Sequence, residues 1–374
     1  MREKLGTAGM KRGLGFAGAL VAVLVAGRWL ASNKDQPVPL PRAPGAASQA
    51  PPARVQEPDD GLPKPPATPP EAVAETPVPA APPKPEPEVT LTANPLPSES
   101  FVRIPAGVFA MGNALAASGD GRPNELPPHP VTLGAFQISQ HELTKALWDE
   151  VRTWAASHGY TDLPAGKGKA PGHPVHSIDW HAVVKWCNAR SEKENLTPCY
   201  TVAGEIYRIG NNAPDCDWSA TGYRLPTEAE WEMAARGGLS GKRFPWGDTI
   251  SHNEANLRNE GAEPYQTGTT GDHPAYSAGT EPYTAPVGSF AADPSGLSDM
   301  AGNVWEWCWD WYGPYPASDL TDPRGAATGT LRVYRGGSWR SHAGDCRAAA
   351  RYYSYPGGTY DYVGFRLARG SAVP

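Results

Sequence analysis

Three clusters of this chain hold the residue types that do chemistry. Between Ser338 and Cys346 lie two hydroxyls, Ser338 and Ser341, one imidazole, His342, and one thiol, Cys346. A thiol serves as nucleophile or soft-metal ligand as the thiolate, and a serine hydroxyl is too basic and too hard to act as a second one on a monovalent metal. His342 adds one nitrogen, and one His with one Cys is a poor ligand set for any metal. The second cluster is His173, His176, Asp179 and His181. Two His and a carboxylate on one face make a non-haem iron site, but Asp179 also stands where a helix needs its cap, which is the simpler role. The third is the turn-rich stretch around Asp299, where oxygen ligands in a tight loop suit calcium.

Cysteines occur at 187, 199, 216, 308 and 346. In an exported chain a Cys199–Cys216 disulfide would close a loop of about 18 residues and stabilise the fold by on the order of 3 kcal/mol through loop entropy. Cys187, on the core side of its helix, and Cys308, among tryptophans, read as buried free thiols.

Three helices must position these groups. Thr144 caps one, with Leu147, Trp148, Val151 and Trp154 on one face and Gly159 beyond its end. Asp179 caps the next, in which Val183, Trp186, Cys187 and Arg190 fall at helical spacing. The third opens on a capping box, Thr227-Glu228-Ala229-Glu230, and stops at Gly237-Gly238. Alternating runs at Val131–Leu133, Gln137-Ile138 and Leu331–Tyr334 read as strands. The remainder is rich in Gly, Pro, Asn and Asp, so the expectation is one mixed α+β domain with much irregular structure.

Composition divides the chain. Arg2, Lys4, Lys11 and Arg12 precede an apolar run from Leu14 to Ala26, the layout of a signal peptide or a membrane anchor over residues 1–35. Residues 36–98 hold 20 of the 42 prolines and read as a disordered, semi-rigid linker. Twelve of the 13 tryptophans follow position 101, so the core belongs to residues 99–374. A net charge of −6, with no basic block beyond the N-terminus, argues against a nucleic-acid partner.

Several blocks in fixed order carry a resemblance. They are Phe101 to Gly112; His173-Pro174-Val175 leading to Trp180 and Cys187-Asn188; Gly222-Tyr223-Arg224-Leu225-Pro226-Thr227-Glu228-Ala229-Glu230-Trp231-Glu232; Phe244-Pro245-Trp246-Gly247; Gly302-Asn303-Val304-Trp305-Glu306-Trp307; Tyr334-Arg335-Gly336-Gly337-Ser338-Trp339; and Gly364-Phe365-Arg366-Leu367. Together they resemble the formylglycine-generating enzymes, the sulfatase-modifying factors, whose domain is distantly related to C-type lectins.

The resemblance implies a site. In that family two cysteines bind copper and oxidise a substrate cysteine with oxygen; they fall here on Ser341 and Cys346, while the residues lining the oxygen pocket fall on Trp305 and Ser338. With one thiolate lost, copper is not expected, nor the family oxidation. One family calcium site falls on Asp299 with the carbonyls of Met300, Gly302 and Val304. The other begins at Asn256 and Leu257, but its later Asp falls on Gly279, leaving Glu281 as substitute. The reading is therefore an extracytoplasmic, bacterial-type binding or maturation-accessory module, tethered to the membrane through its N-terminal segment or secreted, with a peptide or glycan ligand. Its rival is an oxidoreductase with altered chemistry centred on Cys346.

Overall fold

In the computed structural model of the chain, residues 100–116 and 119–370 are described. The N-terminal apolar run and the proline-rich linker lie outside them. Among the described residues no helix is long and apolar enough to cross a membrane.

The first strands are β1 (Phe101–Ile104), β2 (Gly107–Met111), β3 (His129–Leu133) and β4 (Phe136–Ser139). Helices α1 (Lys145–Ala156) and α2 (Trp180–Lys193) follow, then β5 (Tyr200–Val202), β6 (Glu205–Ile206), β7 (Asp215–Cys216) and helix α3 (Glu228–Ala235). The C-terminal half adds β8 (Trp305–Trp311), β9 (Leu320–Thr321), β10 (Arg332–Arg335), β11 (Arg351–Ser354), β12 (Val363–Gly364) and β13 (Ala368–Gly370). Among the described residues four small sheets result, ordered β1-β4-β13, β2-β3-β9, β6-β5-β7 and β11-β10-β8-β12. The domain is mixed α+β with long irregular connections, as the turn residues imply.

All three helix starts sit where their caps require. Thr144 accepts from the Leu147 amide at 3.2 Å and Asp179 from that of Ala182 at 2.7 Å. Thr227 and Glu230 form the reciprocal capping box. Helices α1 and α2 pack through Trp148 and Trp186, stacked at 5.7 Å, with Phe365 edge-on to both.

Helix α3 acts as a rivet. Its carboxylates at 228 and 232, one turn apart, share a face where Arg351, Arg335 and Arg236 gather, while Glu230 turns away to Arg224. Glu228 takes Arg351 at 2.6 and 2.7 Å, Glu230 takes Arg224 at 2.6 and 2.7 Å, and Glu232 takes Arg335 of β10. These pairs are buried, so removing one partner strands a charge in the interior and costs about 3–5 kcal/mol. Arg332 is held differently, its guanidinium lying 3.7 Å from the Trp180 ring and 3.4 Å from that of Trp311.

The disulfide expected between Cys199 and Cys216 is not formed, and all five thiols are free. Strand register supplies the reason, because Tyr200, not Cys199, stands opposite Cys216 in the β5–β7 pair.

Candidate functional site

The segment after β10 turns sharply at Gly336 (φ 100) and Gly337 (φ 80), both in the left-handed region. At Gly337 a side chain is also excluded by space, since its Cβ would lie 2.5 Å from the Cys346 sulfur. The turn delivers Ser338, fully buried, and Ser341, 6% exposed, so that their hydroxyl oxygens are 3.0 Å apart. A 3-10 turn at Ala343–Asp345 then brings the chain to Cys346, which has no exposed surface. Burial pushes the Cys346 thiol well up, the Asp345 charge adds to this, and the backbones of Gly302 and Ser338 offset only part. The thiol is therefore neutral near pH 7. His342 is nearly half exposed and faces Glu260, with Nδ1 3.7 Å from the carboxylate.

Trp305 begins β8 and packs its ring 5.2 Å from those of Tyr334 and Tyr352. Arg122 covers the Tyr352 ring at 4.6 Å. The structure thus sets Ser338, Ser341 and Cys346 on one loop beside a strand pair whose aromatic wall includes Trp305. A donor set of one neutral thiol and two paired hydroxyls does not fit copper(I), which prefers thiolates.

That loop is held from below by residues 299–304. Asp299 (φ 60), Gly302 (φ 81) and Asn303 (φ 59) are left-handed. Gly302 donates to the Gly336 carbonyl at 2.8 Å, and the Trp339 amide donates to the Asn303 carbonyl at 2.7 Å. Asp299 is 7% exposed; its Oδ2 accepts from the Gly288 amide at 2.6 Å, while its Oδ1 is buried with no partner. Burial pushes its carboxyl up to about 6, with the Glu306 charge acting the same way and the Gly288 amide and Arg366 opposing. Glu142 is pushed up as well, by burial and then by the charges of Asp299 and Glu306. An orphaned buried oxygen beside surplus negative charge fits a hard cation, with Met300, Gly302 and Val304 in the same turn.

Glu142 and Asn303 are the residues that sequence reasoning missed. Glu142 accepts from the Val304 amide at 3.0 Å and from the Asn303 side chain at 2.7 Å. The Asn303 amide oxygen in turn accepts from Ala285 at 2.8 Å and from Asn256 at 3.2 Å. Asn303 lies inside the Gly302–Trp307 block, which says nothing of its bonding, whereas Glu142 lies outside every motif and gives no signal in the sequence.

The other expected ligands have different company. Asn256 donates to the Tyr283 carbonyl at 2.8 Å, and the Leu257 carbonyl accepts from His252 at 3.0 Å. In the His173–His181 cluster each imidazole turns to its own partner: His173 to Thr284 at 3.0 Å, His176 to Ser177 at 3.1 Å and His181 to Tyr207 at 3.3 Å. Asp179 is spent on its cap. Among the described residues no group of three His, Cys, Asp or Glu side chains could hold a metal.

Strands, irregular connections and this loop together define a class, the fold of the sulfatase-modifying factors. A family profile described as "Sulfatase-modifying factor enzyme 1-like domain" matches residues 87–371, and the chain belongs to that family. It is 35% identical to the formylglycine-generating enzyme of Streptomyces coelicolor over 74% of this chain and 91% of that one. It is also 35% identical to "Chaperone protein LppX" of Paenibacillus barcinonensis, over 61% of this chain and 75% of that one. Among solved structures, "Treponema denticola variable protein 1" superposes with a TM-score of 0.57 at 31% identity, covering 73% of this chain and 95% of that one.

Proposed function

We propose that this chain is a binding or maturation-accessory member of its family, braced by calcium and presented outside the cytoplasm by its N-terminal segment, and not a copper-dependent oxidase of protein cysteines. One observation carries the reading. Where the family pattern has its first thiolate, the Ser341 hydroxyl is hydrogen-bonded to Ser338 at 3.0 Å, and the remaining thiol at Cys346 is kept protonated by burial. Calcium would be held by Asp299 with the carbonyls of Met300, Gly302 and Val304, supplying the positive charge that the orphaned Asp299 oxygen lacks. The ligand is a peptide or a glycan lying along the aromatic wall of Trp305, Tyr334 and Tyr352, where flat rings give contact area at low entropic cost. Likeness to a relative named a chaperone protein supports an accessory role.

A second reading, an oxidoreductase working through Cys346, is favoured by likeness to a relative named formylglycine-generating enzyme. Copper(I) titration and a peptide-cysteine oxidation assay on the full-length chain separate the two. The wild type is expected to bind no stoichiometric copper and to leave the peptide unchanged. Ser341→Cys is expected to raise copper affinity by orders of magnitude. Oxidation by the wild type would establish the second reading; unchanged affinity in Ser341→Cys would show that position 341 does not face Cys346.

A further inference from the structure

The loop from Ile250 to Phe290 carries the other expected oxygen site, and imidazoles close it. His252 is buried, and its Nε2 donates to the Leu257 carbonyl at 3.0 Å while its Nδ1 faces the Thr269 hydroxyl at 3.4 Å. His273, also buried, donates from Nε2 to the His252 carbonyl at 2.8 Å and accepts at Nδ1 from the Ala275 amide at 3.2 Å. The rings lie 5.0 Å apart. All four ring nitrogens are engaged, and the two that face carbonyl oxygens must carry protons, so neither ring offers a lone pair to a metal.

A calcium ion needs six to eight oxygens. Here the Leu257 carbonyl is engaged by His252, Gly279 has no side chain and Glu281 is exposed. Asn256 retains one unpartnered oxygen, and its amide nitrogen is already donating to Tyr283. The expected ligands Asn256, Leu257 and the position of Gly279 do not make a calcium site, although Gln266 and Asp272 of the same loop each keep one buried oxygen without a partner.

We propose that His252 and His273 form a proton-bearing clamp that replaces a cation in closing this loop. The loop is one wall of the candidate site. Arg258 donates to the Ser341 carbonyl at 3.0 Å, and the Tyr283 ring meets that of Trp339 at 5.4 Å. The clamp keeps that wall in place whether or not calcium occupies the Asp299 loop.

The test uses the full-length chain with Asp299→Ala, which removes the other cation site from the measurement. Equilibrium dialysis against calcium is expected to find none bound, and chelator is expected to leave proteolytic cleavage within residues 255–285 unchanged. Adding His252→Ala should raise cleavage in that window at least tenfold, and His252→Gln, which keeps an N–H donor, should recover much of the protection. A double change, His252→Ala with Gly279→Asp, should gain one calcium: a Cβ at Gly279 meets nothing within 4 Å, and Asp is among the residues that best tolerate the left-handed backbone (φ 87) there, at some cost in strain. Calcium bound by the Asp299→Ala protein and lost on adding Asn256→Ala would overturn the clamp. So would equal cleavage of the Ala and Gln variants, or no rise in either. A parent chain that binds no calcium sinks the Asp299 reading alone, because the cleavage results are read without the ion.

Discussion

The loop at Asp299 and the loop at Leu257 meet at Asn303, yet they balance their buried oxygens in opposite ways. Around Asp299 an acceptor has no donor, and the nearby carboxylates Glu142 and Glu306 leave the region rich in negative charge. Around Leu257 the chain brings its own N–H groups, from His252 and His273, to the backbone carbonyls, and the orphaned acceptors are the side-chain oxygens of Asn256, Gln266 and Asp272. A loop with many buried carbonyls needs positive charge or N–H donors to close; imidazoles supply donors at Leu257, and calcium is the charge proposed at Asp299. On the proposed reading the difference teaches that a loop is closed either by an ion or by a donor of similar reach encoded nearby.

The largest effect expected comes from making the charge surplus worse. Arg366 pairs with Glu306 at 2.6 and 2.7 Å, and its charge also reaches Glu142 and Asp299. Arg366→Met should cost about 3–5 kcal/mol in calcium-free denaturant unfolding, and calcium should recover part of it. A loss under 1 kcal/mol would mean that the Asp299 region carries no surplus.

Next comes the ion itself. At a hundredfold excess over its Kd, calcium should stabilise the parent by about 2.7 kcal/mol, and Asp299→Ala should abolish most of this. Identical melting curves in calcium and chelator would erase the contrast between the two loops.

A smaller, proton-driven effect is expected at His176, which is 1% exposed with its Nε2 unpartnered. Burial pulls its pKa down from 6.5 to about 4, with the Asp361 charge opposing and Lys167 assisting. The folded state then binds this proton less tightly than the unfolded state, so the stability it contributes is present above pH 6.5 and is lost as pH falls toward 4. Between pH 7 and pH 5 the loss should be about 2 kcal/mol, and His176→Gln should flatten the slope. A slope unchanged by the substitution would assign the acid sensitivity to other groups.

Much of this was legible in the sequence because the signals are local. Thr144, Asp179 and the Thr227–Glu230 box mark helix starts through contacts three residues long, and the Arg-Gly-Gly-Ser turn is a matter of backbone conformation. What escaped depends on distance. Glu142 acts on residues more than 160 positions away and sits in no periodic pattern. Spacing made Cys199 and Cys216 look like partners, but pairing depends on register, which places Tyr200 opposite Cys216. His252 and His273 carry no signal in the sequence, because only the folded loop makes them neighbours.

The way β4 is flanked has a topological consequence. It pairs with β1 on one side and β13 on the other, and Ile138 faces both Val102 and Ala368. Both neighbours run antiparallel to β4, with Phe101 opposite Ser139 and Gly370 opposite Phe136, so a join from Gly370 to Phe101 must cross the sheet and takes about a dozen residues. With such a linker the domain is a natural subject for circular permutation: joining Gly370 to Phe101 and opening the chain at exposed Gly279 would leave every sheet intact while moving the free ends to the loop that the imidazoles close.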